Sequence, residues 1–163
     1  MKAERVLGFV LGIILMGVMV MPSWSRAGEN DKKAVYHCDF GNAKRADAML
    51  RNIYNLVNYY TTHNVFYDVR VVANSACVQF LLSDRKGTKF EAGQVDNKLA
   101  KSITERMKSL ADAYNVKFEQ CEITLKSFNI DKSKLKPFVT LTPSGQVRVV
   151  ELQNRGFAYI KVE

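Results

Sequence analysis

The sequence predicts an α/β protein, a three-layer sandwich whose mainly parallel five-stranded sheet carries helices on both faces. Strand-like runs alternate with helical periods from residue 33 to the C-terminus. The first strand-like run is a short apolar run, as expected for a strand buried on both faces. No repeat, low-complexity stretch or second block of composition interrupts the pattern, so residues 33–163 read as one domain.

The first strand is the run AVYHCDF, closed by Gly41. From Asn42, a suitable N-cap, Ala46, Met49, Leu50, Ile53, Leu56, Val57 and Tyr60 keep helical spacing without a miss. The run 65–73, rich in β-branched and aromatic residues, is the second strand. Asn74 or Ser75 then caps a short helix with Cys77 near its first turn. RKGTKFEAG, with two glycines and no period, is a surface loop, a candidate lid. Leu99, Ile103, Met107, Leu110, Ala111 and Tyr114 restore the helical period, VKFEQ is the third strand, and CEITLKSFNI resumes as helix. FVTLT is a fourth strand, Ser144 to Asn154 a helix stopped by Gly156, and FAYIKV the last strand.

Ahead of the domain, Lys2 and Arg5 precede the 16-residue apolar run Val6 to Met21, followed by Pro22 and the small-residue pattern Ser25-Arg26-Ala27. This reads as a secretory signal peptide over residues 1–27, cut after Ala27, with a polar linker over 28–32. The run falls short of the roughly 20 residues that span a bilayer comfortably. The expected location is therefore periplasmic or otherwise exported, with membrane attachment only if the leader is retained. Removing the leader takes the net charge from +8 to +6. These bases are interspersed with acids and no recognition motif accompanies them, so nucleic acid is not an expected partner.

Cys38, Cys77 and Cys121 fall at or just beyond the ends of three predicted strands, the edge where open α/β sheets hold ligands. Cys121 is the leading candidate. A cysteine at a strand-to-helix junction meets free backbone N–H groups and a positive helix end, both of which favour a thiolate. Glu122 beside it opposes that effect. Cys38 and Cys77 are candidate resolving thiols, and pairings of Cys38 with either Cys121 or Cys77 are open. Lys126, Lys132, Lys134 and Lys136 follow within sixteen residues as candidates for attracting an anion. Strand alternation turns His37 away from Cys38, and no C-x-x-C or H-x-x-x-H spacing supports a metal. His63 reads as a helix C-terminal residue, and the aromatic group Tyr54, Tyr59, Tyr60, Phe66 and Tyr67 as core and subunit contacts. No glycine-rich phosphate motif is present.

Four segments, AVYHCDFGNAKRADAMLRNIYNLVN, VRVVANSACVQFLL, VKFEQCEITLKSFNI and LTPSGQVRVVELQNRGFAYIKV, make the chain resemble the DsrE/DsrF-like family, the fold of sulfur-relay proteins. The resemblance implies a DsrE-like sandwich, assembly into trimers or hexamers, and no organic cofactor. In relay members a cysteine after the corresponding strand receives sulfur and passes it on as a persulfide; only Cys121 matches that position. The chain departs from the family in carrying an export leader.

The function expected is that of an exported sulfur carrier or sulfurtransferase-like protein. Cys121 takes sulfane sulfur from a donor and gives it to an acceptor thiol. The alternatives are a non-catalytic oligomeric module binding an anionic ligand or partner protein, and a thiol-disulfide redox protein using Cys121 with Cys38 or Cys77.

Overall fold

A computed structural model describes residues 32–92 and 96–162; the leader and all of the linker except Lys32 lie outside them. The chain runs β1 (Lys32–Cys38), α1 (Ala43–Thr62), β2 (Tyr67–Ala73), a 3₁₀ turn (Ser75–Cys77), α2 (Val78–Leu81) and α3 (Asn97–Tyr114). It continues with β3 (Lys117–Cys121), α4 (Glu122–Ser127), a 3₁₀ turn (Lys132–Lys134), β4 (Val139–Thr142), α5 (Gly145–Asn154) and β5 (Ala158–Ile160). The five strands form one sheet in the order β4-β3-β2-β1-β5, and every pair is parallel. This is the α/β architecture that the alternating pattern predicts.

The helices start where the sequence supplies caps. Asn42 accepts from the Arg45 N–H at 3.0 Å, and Asp96 accepts from the Leu99 N–H at 3.1 Å. Ser144 caps α5 toward the Val147 N–H. The helix expected over 121–130 stops at Ser127, because Asn129 takes the left-handed conformation at φ 51°. Ile130 then turns back into a small cluster with Val78, Leu82 and Leu125. Asn74 does not cap the turn after β2; its side chain is engaged elsewhere, as described below.

Alternation divides the strands between two faces. Ala34, Tyr36 and Cys38 of β1, Val69, Val71 and Ala73 of β2, and Phe118 of β3 join the main core with α1 and α3. The opposite face packs Val35 and Val72 against Val149, Leu152 and Phe157, under α5 alone. α5 connects β4 back across the sheet to β5, so it leaves the strand ends on the side opposite α1 and α3. The point where a connection first changes face, here at the ends of β3 and β4, is where open α/β sheets leave a crevice.

The sheet order decides between the open cysteine pairings, and one expectation needs adjusting. β2 lies between β1 and β3, so Cys38 and Cys121 are a strand apart. Register places Cys38 opposite Ala73 and Ala73 opposite Gln120, so Cys121 lies one residue further on and faces the other side of the sheet. The aromatic group is only partly core: Tyr60 and Tyr67 are half-buried, whereas Tyr54, Tyr59 and Phe66 are exposed.

Candidate functional site

Cys121 ends β3 and forms the N-cap of α4. Its backbone partner across the sheet is Thr142, the last residue of β4. From there Pro143 and Ser144 lead directly into α5, so the sulfur meets the N-terminal ends of two helices. Burial pushes the Cys121 thiol up, but the N–H of Gly145, the N–H and hydroxyl of Thr124 and the N–H of Ile123 outweigh it, and the pKa is lowered. The local sequence of β3 and α4 supplies only part of these donors. The Gly145 contribution comes from 24 residues further along the chain.

The close approach depends on glycine. A Cβ added at Gly145 would stand 3.2 Å from the Cys121 Cβ and 3.3 Å from the Asn74 Cβ, so a side chain there would force the helix end and the cysteine apart. Neighbouring groups hold the rest of the shell. The Thr124 hydroxyl oxygen accepts from the Ser75 N–H at 3.0 Å, and Gln120, fully buried, donates through Nε2 to the Cys121 carbonyl at 3.0 Å. Ser75 takes a φ of 50° to reach that position. Asn74 packs beside Gly145 and accepts at Oδ1 from His37 Nε2 at 3.0 Å. Cys121 as a whole is only 5% exposed.

Deeper along the same face, Glu119 is buried between two arginines. Arg70 donates to its Oε1 at 2.8 Å and Arg148 of α5 to its Oε2 at 2.5 Å. Burial would raise the Glu119 carboxyl, but hydrogen bonds from Arg148 and Arg70 prevail and lower it. The cluster ties α5 to β2 and β3, and so fixes the helix whose N-terminus faces Cys121.

The other two cysteines take a different role. Cys38 and Cys77 form a disulfide with Cα atoms 5.7 Å apart, within the usual span. Cys121 is the free cysteine, and neither candidate resolving thiol is paired with it. Both disulfide partners are buried on the α1/α3 side. The bridge holds the loop that carries Asn74 and Ser75: the Asn74 N–H donates to the Cys38 carbonyl at 2.9 Å.

The four lysines separate. Lys126 and Lys132, both exposed, border a hollow beside α4 with Glu122, Asp131 and Leu141. Lys134 donates to the Lys86 carbonyl at 2.7 Å, and Lys136 is buried, donating to the carbonyls of Phe80 at 2.8 Å and Leu82 at 2.5 Å. Lys134 and Lys136 therefore turn toward the 80–86 segment, while Lys126 and Lys132 stand beside α4. Among the described residues no three His, Cys, Asp or Glu side chains converge as metal ligands.

Sequence reasoning missed Gly145, Thr124, Asn74 and His37. A glycine directly after Ser144, where a helix former is the ordinary choice, is the one signal that was available. His37 was placed correctly off the Cys38 face, and that same alternation puts it on the Cys121 side.

A free thiol held among backbone donors at the strand ends of an all-parallel α/β sheet defines the class: an α/β domain with one free cysteine at the carboxyl edge of its sheet. The sequence model of the DsrE/DsrF-like family matches residues 34–162, and the chain belongs to that family, which carries a sulfur-relay-type role at family level. An uncharacterized protein of Aquifex aeolicus (strain VF5) is 27% identical over 128 residues, 78% of this chain, and the match spans 55% of that relative's length. The structure of a protein of unknown function, MTH1491 from Methanobacterium thermoautotrophicum, superposes with a TM-score of 0.60 at 23% identity. That likeness covers 80% of this chain and 99% of the other, and it shows the fold.

Proposed function

We propose that the protein is an exported sulfur carrier in which Cys121 holds sulfane sulfur as a persulfide. The observation that carries this reading is the set of donors turned on one free sulfur: three backbone N–H groups and a hydroxyl, with a lowered thiol pKa as the result. Such an environment stabilises an anionic sulfur without a side-chain cation, and the persulfide is a stronger acid than the thiol.

The Cys121 thiolate attacks the outer sulfur of a donor. An S–S bond to Cys121 forms, the donor's S–S bond breaks, and its electron pair leaves with the donor as a thiolate, or as sulfite when the donor is thiosulfate. An acceptor thiolate then attacks the terminal sulfur and expels the Cys121 thiolate, so no oxidant or reductant is consumed. With Cys38 and Cys77 joined to each other on the far side of the sheet, the acceptor is an external thiol. The near-complete burial of Cys121 favours a small donor over a protein one.

The export leader and a buried disulfide support an oxidising compartment. Trimeric or hexameric assembly belongs to the same reading, and exposed Ile123, Val147 and Val150 on α4 and α5 offer apolar surface for it.

The test is exposure of the protein to polysulfide or thiosulfate, followed by alkylation and non-reducing peptide mass spectrometry. The expected result is a +32 Da sulfur adduct, about one sulfur atom, on the Cys121 peptide alone, absent in Cys121→Ser. Transfer undiminished in Cys121→Ser rejects the mechanism.

A further inference from the structure

A broad cavity lies away from Cys121. It is an open hollow of about 990 Å³ between α3 and the segments 82–85 and 136–138. These segments are joined by main-chain bonds, Ser83 N–H to the Lys134 carbonyl at 2.7 Å and Lys136 N–H to the Leu81 carbonyl at 2.9 Å. Its wall combines apolar Leu82, Pro137 and Phe138 with four bases, Arg85, Lys101, Lys108 and Lys136, and four acids, Asp84, Glu91, Glu105 and Asp112. This size and mixture are those of small-molecule sites.

The cations are the informative part. Lys136 is 7% exposed and uses Nζ on two carbonyls, while half-buried Arg85 uses Nε on the Gln79 carbonyl at 3.0 Å. Among the described residues neither forms an ion pair: the ion pairs of this region join Lys101 to Glu105, Lys108 to Asp112 and Lys134 to Asp84. Glu91, the remaining acid of the wall, accepts from the Gly87 N–H at 2.8 Å. Burial chiefly, and then the charge of Arg85, push the Lys136 ammonium down to about 8. Buried charge is ordinarily compensated by a partner of opposite sign, and among the described residues none of the acids of this wall pairs with Arg85 or Lys136.

We propose that this cavity binds a small carboxylic acid, its carboxylate set between Arg85 and Lys136 and its apolar chain against Leu82, Pro137 and Phe138. A carboxylate fits because the guanidinium of Arg85 presents a planar pair of N–H donors beyond the one already used. The remaining N–H of Lys136 reaches the same anion. The site stands on the opposite side of the sheet from Cys121 and does not depend on the sulfur-carrier reading.

Isothermal titration of the full chain with octanoate, methyl octanoate and inorganic phosphate tests it. The expected order is octanoate well ahead of both others. Arg85→Gln should weaken octanoate by about tenfold or more, and Arg85→Lys should restore part of the affinity. Cys121→Ser should bind as the parent does, which separates this site from the persulfide site. Methyl octanoate binding as tightly as octanoate, or octanoate binding unaltered in Arg85→Gln, would overturn the anion site. Phosphate matching octanoate would overturn the apolar half of the proposal, and no heat from octanoate would overturn it whole.

Discussion

On the side of the sheet covered by α1 and α3, β1 and β2 present Ala34, Tyr36, Cys38, Val69, Val71 and Ala73. On the side covered by α5, neighbouring positions carry His37, Arg70, Glu119 and Cys121. Two long helices seal the first side and leave its cysteine suited to a disulfide. A single ten-residue helix covers the second, so polar groups there stay near the strand ends and are held by hydrogen bonds. The same residue type thus acts as a staple on one side and as a caged free thiol on the other. What separates them is one position of strand register.

The largest effect should come from the sealed side. Replacing Cys38 and Cys77 together by Ser removes a bridge across 39 residues of sequence, worth about 4 kcal/mol in the chain-entropy account. Denaturant unfolding should show that loss, while Cys121→Ser should leave the midpoint close to the parent. Equal losses in the two variants would erase the distinction between staple and thiol.

Lys136 tests the cavity beside α3. Its folded pKa, about 8, lies below its ordinary value of 10.5. The unfolded chain therefore holds more protons between these values, and stability should rise with pH from about 8 to 10.5. Relative to Lys136→Met, the parent should gain about 3 kcal/mol over that interval by urea unfolding. Parallel profiles for the two proteins would mean that Lys136 is not desolvated.

On the α5 side, Glu119→Gln should cost about 2 kcal/mol at neutral pH, because Arg70 and Arg148 lose the carboxylate between them. With its pKa lowered, Glu119 stabilises the fold above the ordinary carboxylate range, and that contribution disappears as pH falls through the lowered folded value. The parent should thus show an acid limb of unfolding that Glu119→Gln lacks. A limb of the same size in both would remove the role assigned to the cluster.

The smallest effect is the most specific one. Gly145→Ala should displace the α5 N–H from the Cys121 sulfur and weaken a helix-end interaction of about 0.3 to 1 kcal/mol. The pH profile of Cys121 alkylation should move upward by a fraction of a pH unit with little change in stability. An unmoved profile would mean that the α5 terminus contributes nothing to the thiol.

Much of the fold was legible because burial imposes periods on a sequence. α1 was read almost to its ends from seven apolar positions and Asn42, and α5 from Ser144 and Gly156, since caps and glycines act through neighbours in the chain. Helix α4 was read too long because Phe128 and Ile130 satisfy a helical period while Asn129 breaks it, a conflict that packing against Val78 and Leu82 settles. Cys121 was found for the same local reason as the caps: it stands at a strand-to-helix junction. The lysines were misgrouped because proximity in sequence says nothing of the direction in which a four-carbon side chain leaves a turn.

By itself, then, the sequence determined which segments become strand or helix, that the three cysteines gather at one edge of a parallel sheet, and that Cys121 sits at a helix start. Those are consequences of side-chain period and of the chirality of parallel crossovers, which act along the chain. Tertiary structure alone decided that β2 separates the first and third strands, that Cys38 closes on Cys77, and that Gly145 brings a second helix end to the Cys121 sulfur. It also decided that Arg85 and Lys136 line one cavity, with neither in an ion pair among the described residues. Each of these depends on which distant segments become neighbours in space. That choice is made by the packing of the whole core, and no local pattern encodes it.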